Sequence, residues 1–120
     1  LLYVSLKNKA GKFVEPNAES FKASGASADW EKAPGFYMVL TEQDGDNSWP
    51  ISGATYILVH KEQADLDKAK EMFKFFTWAL DSGDKTAEEL NYIPMPDSVV
   101  ALIKASWKAN VKAGGKPVVE

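Results

Sequence analysis

Between Asp65 and Ser82 the apolar residues recur with a helical period, and no other stretch of the chain constrains its fold as much. Leu66, Ala69, Met72, Phe73, Phe75, Phe76, Ala79 and Leu80 fill one half of a helical wheel. A helix so patterned must bury that half against a second layer, so the chain needs at least one core. Asp65 and Asp67 favour its amino-terminal end electrostatically, and Gly83 can serve as the residue just past its end. Trp78 falls outside the apolar arc and predicts a contact with a second element. The stripe Phe73, Phe75, Phe76 is read as core.

Weaker elements flank this helix. Leu2–Leu6 carries strand-forming types and is followed by the turn signal Asn8-Lys9-Ala10-Gly11, after which Phe13-Val14 can return as a short strand. Asn17 is a good N-cap for a helix over about 18–24. Residues 27–50 show no sustained period. Ala54–His60 (ATYILVH) reads as a buried strand. Thr86-Ala87-Glu88-Glu89 has capping-box spacing and opens a short helix to about Asn91, which Pro94 and Pro96 end. A last helix starts at Asp97 or Ser98 and runs to about Lys112, with Val99, Val100, Leu102, Ile103, Trp107 and Val111 inward and Trp107 largely buried. From about residue 113, Gly114-Gly115-Lys116-Pro117 predicts a flexible tail. The 120 residues suffice for one domain with a single core. The opening Leu1-Leu2-Tyr3-Val4, without an initiator Met, predicts a boundary inside a longer protein.

Composition narrows the chemistry. With 45% hydrophobic and 26% charged residues the chain has the make-up of a folded globular domain. A formal charge of −3 gives no basic footprint, so nucleic acid is not an expected partner. Cysteine is absent, which excludes disulfides, thiolate metal sites and cysteine nucleophiles. His60 is the only histidine, so a multi-histidine metal site is excluded, and no serine stands in a G-x-S-x-G elbow. His60 is therefore read as a boundary residue at a strand end rather than a catalytic base.

The remaining candidates are few. Asp44-Gly45-Asp46-Asn47 lacks the spacing and the distal Glu of a calcium loop and reads as a solvated turn. Gly114-Gly115-Lys116 lacks the rest of a P-loop, and Glu88-Glu89 reads as a solvated face. Ser52-Gly53-Ala54-Thr55 is small and polar before a presumed strand; it can present amide N–H groups to an anion or mark a close backbone contact. No catalytic, metal or cofactor residue is assigned, and the chain is read as a non-enzyme.

Ordered motifs then carry a resemblance. Ala28-Asp29-Trp30, Ser48-Trp49-Pro50-Ile51, Thr55–Lys61 (TYILVHK) and Phe73–Ala79 (FKFFTWA) occur in that order. Leu90–Pro96 (LNYIPMP), Asp97–Val100, Trp107 and Gly115-Lys116-Pro117 follow. From about Tyr3 to Pro117 this set resembles the periplasmic phosphate-binding proteins of bacterial phosphate ABC transporters. The resemblance implies an α/β fold, part of a two-lobed, type II-like solute-binding protein, of which this chain is the carboxy-terminal segment. It implies capture of inorganic phosphate by the whole protein and delivery to an ABC transporter permease in the inner membrane. The implied location is the periplasm, or the cell surface in a Gram-positive host. The family's phosphate ligands lie in amino-terminal and central segments, so no ligand residue is carried onto any position here. The alternative is a stand-alone interaction domain that keeps part of the fold without binding phosphate. Lobes of this family are built from non-contiguous segments, which predicts exposed strand edges at Leu2–Leu6 and Ala54–His60 and self-association through them.

Overall fold

The computed structural model describes residues 2–119, arranged as two compact units. Among these, the first comprises residues 2–55 and 95–99, the second residues 56–94 and 100–119.

In the first unit the turn chemistry at Asn8–Gly11 folds the chain back on itself. Gly11 takes the left-handed conformation that a glycine tolerates, and its N–H donates to the Asn8 carbonyl at 2.8 Å. Strands β1 (Leu6–Lys7) and β2 (Phe13–Val14) pair antiparallel, with Leu6 opposite Val14. Asn17 then caps α1 (Ala18–Ser27) with a reciprocal box. Its Oδ1 accepts from the Ser20 N–H at 2.9 Å, while Ser20 Oγ accepts from the Asn17 N–H at 3.2 Å. The helix runs three residues beyond the expected Ser24, because Gly25 is buried within it and does not end it. Two single 3₁₀ turns follow, at Trp30–Lys32 and Pro34–Phe36. The chain between them and Ile51 closes through the Glu42 N–H to the Pro50 carbonyl at 2.9 Å. Val14, Ala28, Trp30, Leu40, Trp49 and Val99 are the buried apolar residues here.

The second unit is built on α2 (Leu66–Ser82). Asp65 caps it, its Oδ1 accepting from the N–H groups of Asp67 and Lys68, both at 3.0 Å. These backbone bonds, with Lys68 nearby, hold the Asp65 carboxyl below the usual carboxylate range. Ala69 and Phe73 enter the core with Val111, Ala113 and Val118, and Val59, Leu66, Met72, Trp107 and Val119 pack around them. Helix α3 (Asp84–Glu89) begins two residues before Thr86, so the expected capping box is not the device that starts it. Helix α4 (Asp97–Asn110) begins in the first unit and continues into the second. Lys104 on α4 pairs with Asp81 on α2. Trp107 is half-buried rather than largely buried, set edge-on to Phe73 with ring centroids 5.0 Å apart. Strands β3 (Lys112–Ala113) and β4 (Lys116–Pro117) form an antiparallel hairpin around Gly114-Gly115. The stretch read as a flexible tail is thus a paired turn, held by burial of Ala113 and Val118.

Two expectations fail in an informative way. Only Leu6 of the presumed strand Leu2–Leu6 enters a ladder, and Leu2, Tyr3 and Val4 are exposed. Ala54–His60 is neither a strand nor buried: Ile57 is 67% and Leu58 93% exposed. A strand buried on both faces needs flanking strands and a covering layer, and neither is present among the described residues. The fold is accordingly helix-rich with two small antiparallel sheets, compatible with part of an α/β fold rather than a complete one.

Candidate functional site

Each residue singled out from the sequence has a definite place, and none converges with another on a site. His60 is exposed at the end of the stretch before Lys61, and its carbonyl accepts from the Gln63 side chain. Asp44 pairs with Lys9 at 2.7 Å, both side chains well exposed, and its carbonyl accepts from Ser48 Oγ at 2.6 Å. The Asp44–Asn47 turn is therefore braced from within. Among the described residues no group of three or more acidic or histidine side chains could hold a metal ion. Glu89 is exposed and lies 3.9 Å from Lys85 on the same short helix, a solvated pair. Glu88 is exposed beside it. Gly114 and Gly115 make the left-handed turn of the last hairpin, and the Gly114 N–H donates to Glu62 Oε1 at 2.7 Å. That N–H meets the chain's own carboxylate, a structural use of a group that a P-loop would turn to phosphate.

Ser52, the head of the small polar segment, is buried and donates to the Trp49 carbonyl at 3.2 Å. It closes a turn through its own side chain, and a Cβ added at Gly53 would meet open space, so no close backbone approach is seen there. Gly53 and Thr55 are exposed.

The best organised polar cluster was not legible as a motif. Asn8, Ser20, Ser24, Ser48 and Ser52 are all buried in the first unit. Asn8 Nδ2 donates toward three carbonyls, those of Gly45 at 3.2 Å, Asp46 at 2.8 Å and Ser48 at 3.2 Å. Its Oδ1 accepts from the Lys12 N–H at 2.9 Å. Ser24 Oγ reaches the carbonyls of Ser20 and Trp49 at 3.1 and 2.8 Å. The Trp49 N–H in turn donates to the Ser20 carbonyl at 3.1 Å. Every one of these side chains is aimed at backbone, and among the described residues no buried side-chain polar atom lacks a partner. A phosphate site needs donors left over for the anion; here they are consumed in pinning residues 44–52 to the hairpin and to α1. The signal that could have found the cluster is the spacing of Ser20 and Ser24, one helical turn apart on the face that α1 buries.

Asn8→Ala removes the donor that serves three carbonyls and is expected to cost about 1–3 kcal/mol, the desolvation penalty of groups left without a partner. Urea unfolding followed by tryptophan fluorescence checks it, and Asn8→Asp is expected to be no better, since a carboxylate cannot donate to those carbonyls.

Comparison with known proteins agrees with the ordered motifs. The chain is 47% identical over 113 residues to the "Phosphate-binding protein PstS" of Pasteurella multocida (strain Pm70), an alignment covering 94% of this chain and 33% of that protein. It is 41% identical over 112 residues to the protein of the same name from Haemophilus influenzae, covering 93% of this chain and 34% of the relative. Against that of Xylella fastidiosa (strain 9a5c) it is 40% identical over 110 residues, covering 92% of this chain and 30% of the relative. No family model matches the chain. The chain spans about a third of the length of these relatives, a share that accords with the carboxy-terminal portion. Over nearly all of its residues, then, the chain is the counterpart of about one third of a PstS phosphate-binding protein.

Proposed function

We propose that the chain is the carboxy-terminal scaffold of a solute-binding protein that captures inorganic phosphate and hands it to an ABC transporter permease. The observation that carries this is the identity to proteins named as phosphate-binding, sustained over nearly the whole chain. In this reading the 120 residues contribute no phosphate ligand, and the protein is a binding protein rather than an enzyme. It acts outside the inner membrane, in the periplasm or at the cell surface. The inward-turned Asn8 and serine cluster supports the scaffold role, since its donors are spent on the chain's own carbonyls. In this reading the segment completes part of a two-lobed fold that holds phosphate between its lobes.

Two measurements test the proposal together. Calorimetry of the isolated chain with inorganic phosphate is expected to show no specific binding. A chimaera in which these residues replace the matching third of the Pasteurella multocida relative is expected to bind phosphate within about tenfold of that relative, a change near 1.4 kcal/mol. Submillimolar 1:1 binding by the isolated chain overturns the scaffold role. A folded chimaera that has lost phosphate overturns the family reading itself.

A further inference from the structure

The turn after Gln43 carries a chemistry that its part in bracing the first unit does not use. Asp44-Gly45 is the chain's single Asp-Gly pair, and no Asn-Gly pair occurs. The fold demands this glycine. Gly45 has a φ of 112°, and a Cβ there would lie 3.0 Å from Ser48 Oγ and 3.2 Å from Ser27 Oγ. With no side chain beside it, the Gly45 nitrogen is open to the carboxyl of the residue before. The bonds that hold the turn leave that nitrogen out. They take the carbonyls of Asp44, Gly45, Asp46 and Ser48 and the Ser48 N–H, and none takes the Gly45 N–H. The Asp44 carboxylate meets Lys9 in an exposed pair that costs little to part.

We propose that Asp44 is a site of spontaneous backbone modification, passing to isoaspartate through a cyclic imide, at a rate that Asn8 sets. The Gly45 nitrogen attacks Cγ of the protonated Asp44 carboxyl. The carboxyl hydroxyl leaves with the amide hydrogen as water, and the imide ring closes. Water then adds to either ring carbonyl. Addition at Cγ restores aspartate. Addition at the Asp44 backbone carbonyl breaks its bond to the Gly45 nitrogen, and the chain thereafter runs through Cβ and Cγ. No oxidant or co-reactant beyond water enters, and the mass is unchanged overall. Ring closure needs the peptide between Asp44 and Gly45 to turn toward the carboxyl. Ser48 Oγ opposes this by holding the Asp44 carbonyl at 2.6 Å, and Asn8 Nδ2 by holding those of Gly45 and Asp46 at 3.2 and 2.8 Å. The product acts back on the same bonds. Isoaspartate lengthens the main chain by a carbon, which takes the Gly45 and Asp46 carbonyls out of register with the one amide that serves both. Modification thus unpins residues 44–52 from the first hairpin. At Asn47-Ser48 the same reaction is blocked, because the Ser48 N–H is bonded to the Gly45 carbonyl and Ser48 is fully buried. The reaction joins adjacent residues of this chain, so it needs no partner and does not depend on phosphate binding.

The test ages the full chain at neutral pH and maps isoaspartate by peptide mass spectrometry, with fragmentation that distinguishes the two linkages. Isoaspartate is expected at residue 44 ahead of every other Asp, beside a species lighter by one water. Asp44→Glu, whose longer side chain closes the ring far less readily, is expected to abolish both. Asn8→Ala is expected to raise the rate several-fold. Asn17→Ala removes a helix cap at a comparable cost in stability and frees no carbonyl of the turn, so it is expected to leave the rate unchanged. The same chain unfolded in guanidinium chloride supplies the unrestrained rate, expected to exceed the native one. Absence of isoaspartate at residue 44 of the native chain when the unfolded chain has fully converted overturns the site. Equal rates in the parent and Asn8→Ala, or equal acceleration by Asn17→Ala, overturn the role of Asn8. Should Asn8→Ala fail to fold, the native and unfolded rates decide, and their equality overturns the restraint.

Discussion

Phe73→Ala is expected to destabilise the chain by about 3–5 kcal/mol, the range for emptying a buried aromatic site. Phe73 is 2% exposed and sits where α2 meets the last hairpin, with Ala69, Val111, Ala113 and Val118 in the same cluster. Its ring lies edge-on to Trp107 at 5.0 Å and to Phe76 at 6.3 Å, so the substitution also removes two aromatic contacts. Small residues dominate the rest of the cluster, and they have little side chain with which to refill the space. Chemical denaturation read by tryptophan fluorescence measures the loss, and Phe73→Leu is expected to recover most of it. A loss below about 1 kcal/mol for Phe73→Ala would mean that the site collapses and that this cluster is not the core of the second unit.

In the first unit the corresponding anchor is Trp30. Trp30→Ala is expected to cost a comparable amount, about 3–5 kcal/mol, and Trp30→Phe about 1–3 kcal/mol. The two substitutions separate two roles. Trp30 is 4% exposed and lies near Phe36, with ring centroids 6.4 Å apart. Its Nε1–H donates to the Gly25 carbonyl at 2.7 Å, satisfying a group near the end of α1 that the helix itself does not satisfy. Phenylalanine keeps most of the apolar volume and loses only the donor. Equal effects for Trp30→Phe and Trp30→Ala, measured by thermal unfolding, would show that the hydrogen bond rather than the packing carries the position.

The helices were legible in the sequence because their instructions are local. Asn17 caps the helix it was expected to cap, Asp65 stands at the end it was expected to favour and caps it as well, and the apolar arc of 65–82 contains the two residues α2 buries, Ala69 and Phe73. Trp78, placed outside that arc, is indeed 55% exposed, but its ring neighbour is Phe75 on the same helix and not a second element. Strands were less legible because a strand is defined by its partner. Phe13-Val14 found one across a four-residue turn; Ala54–His60 has every propensity of a strand and no neighbour among the described residues. The glycines at 114 and 115 predict a flexible tail by composition alone, whereas two consecutive left-handed residues are what a tight hairpin requires. As for the site, serines at positions 20, 24, 48 and 52 resemble turn filler until α1 brings them onto Trp49 and its neighbours. No motif could announce a cluster assembled from residues up to forty apart.

The division of the chain into two units has an order in time as well as in space. The first unit takes residues 2–55 and then waits for 95–99, because Val99 is one of its buried residues. On a ribosome the intervening segment, 56–94, emerges before that last piece. Neither unit can be completed before residue 95 is made, and the second also needs Val111, Ala113 and Val118. Both therefore close late, after loops whose entropy must be spent before any long-range contact rewards it. A nascent chain stalled anywhere short of residue 99 holds Trp30 and Phe73 without their full surroundings. Such intermediates expose apolar surface and are prone to aggregate.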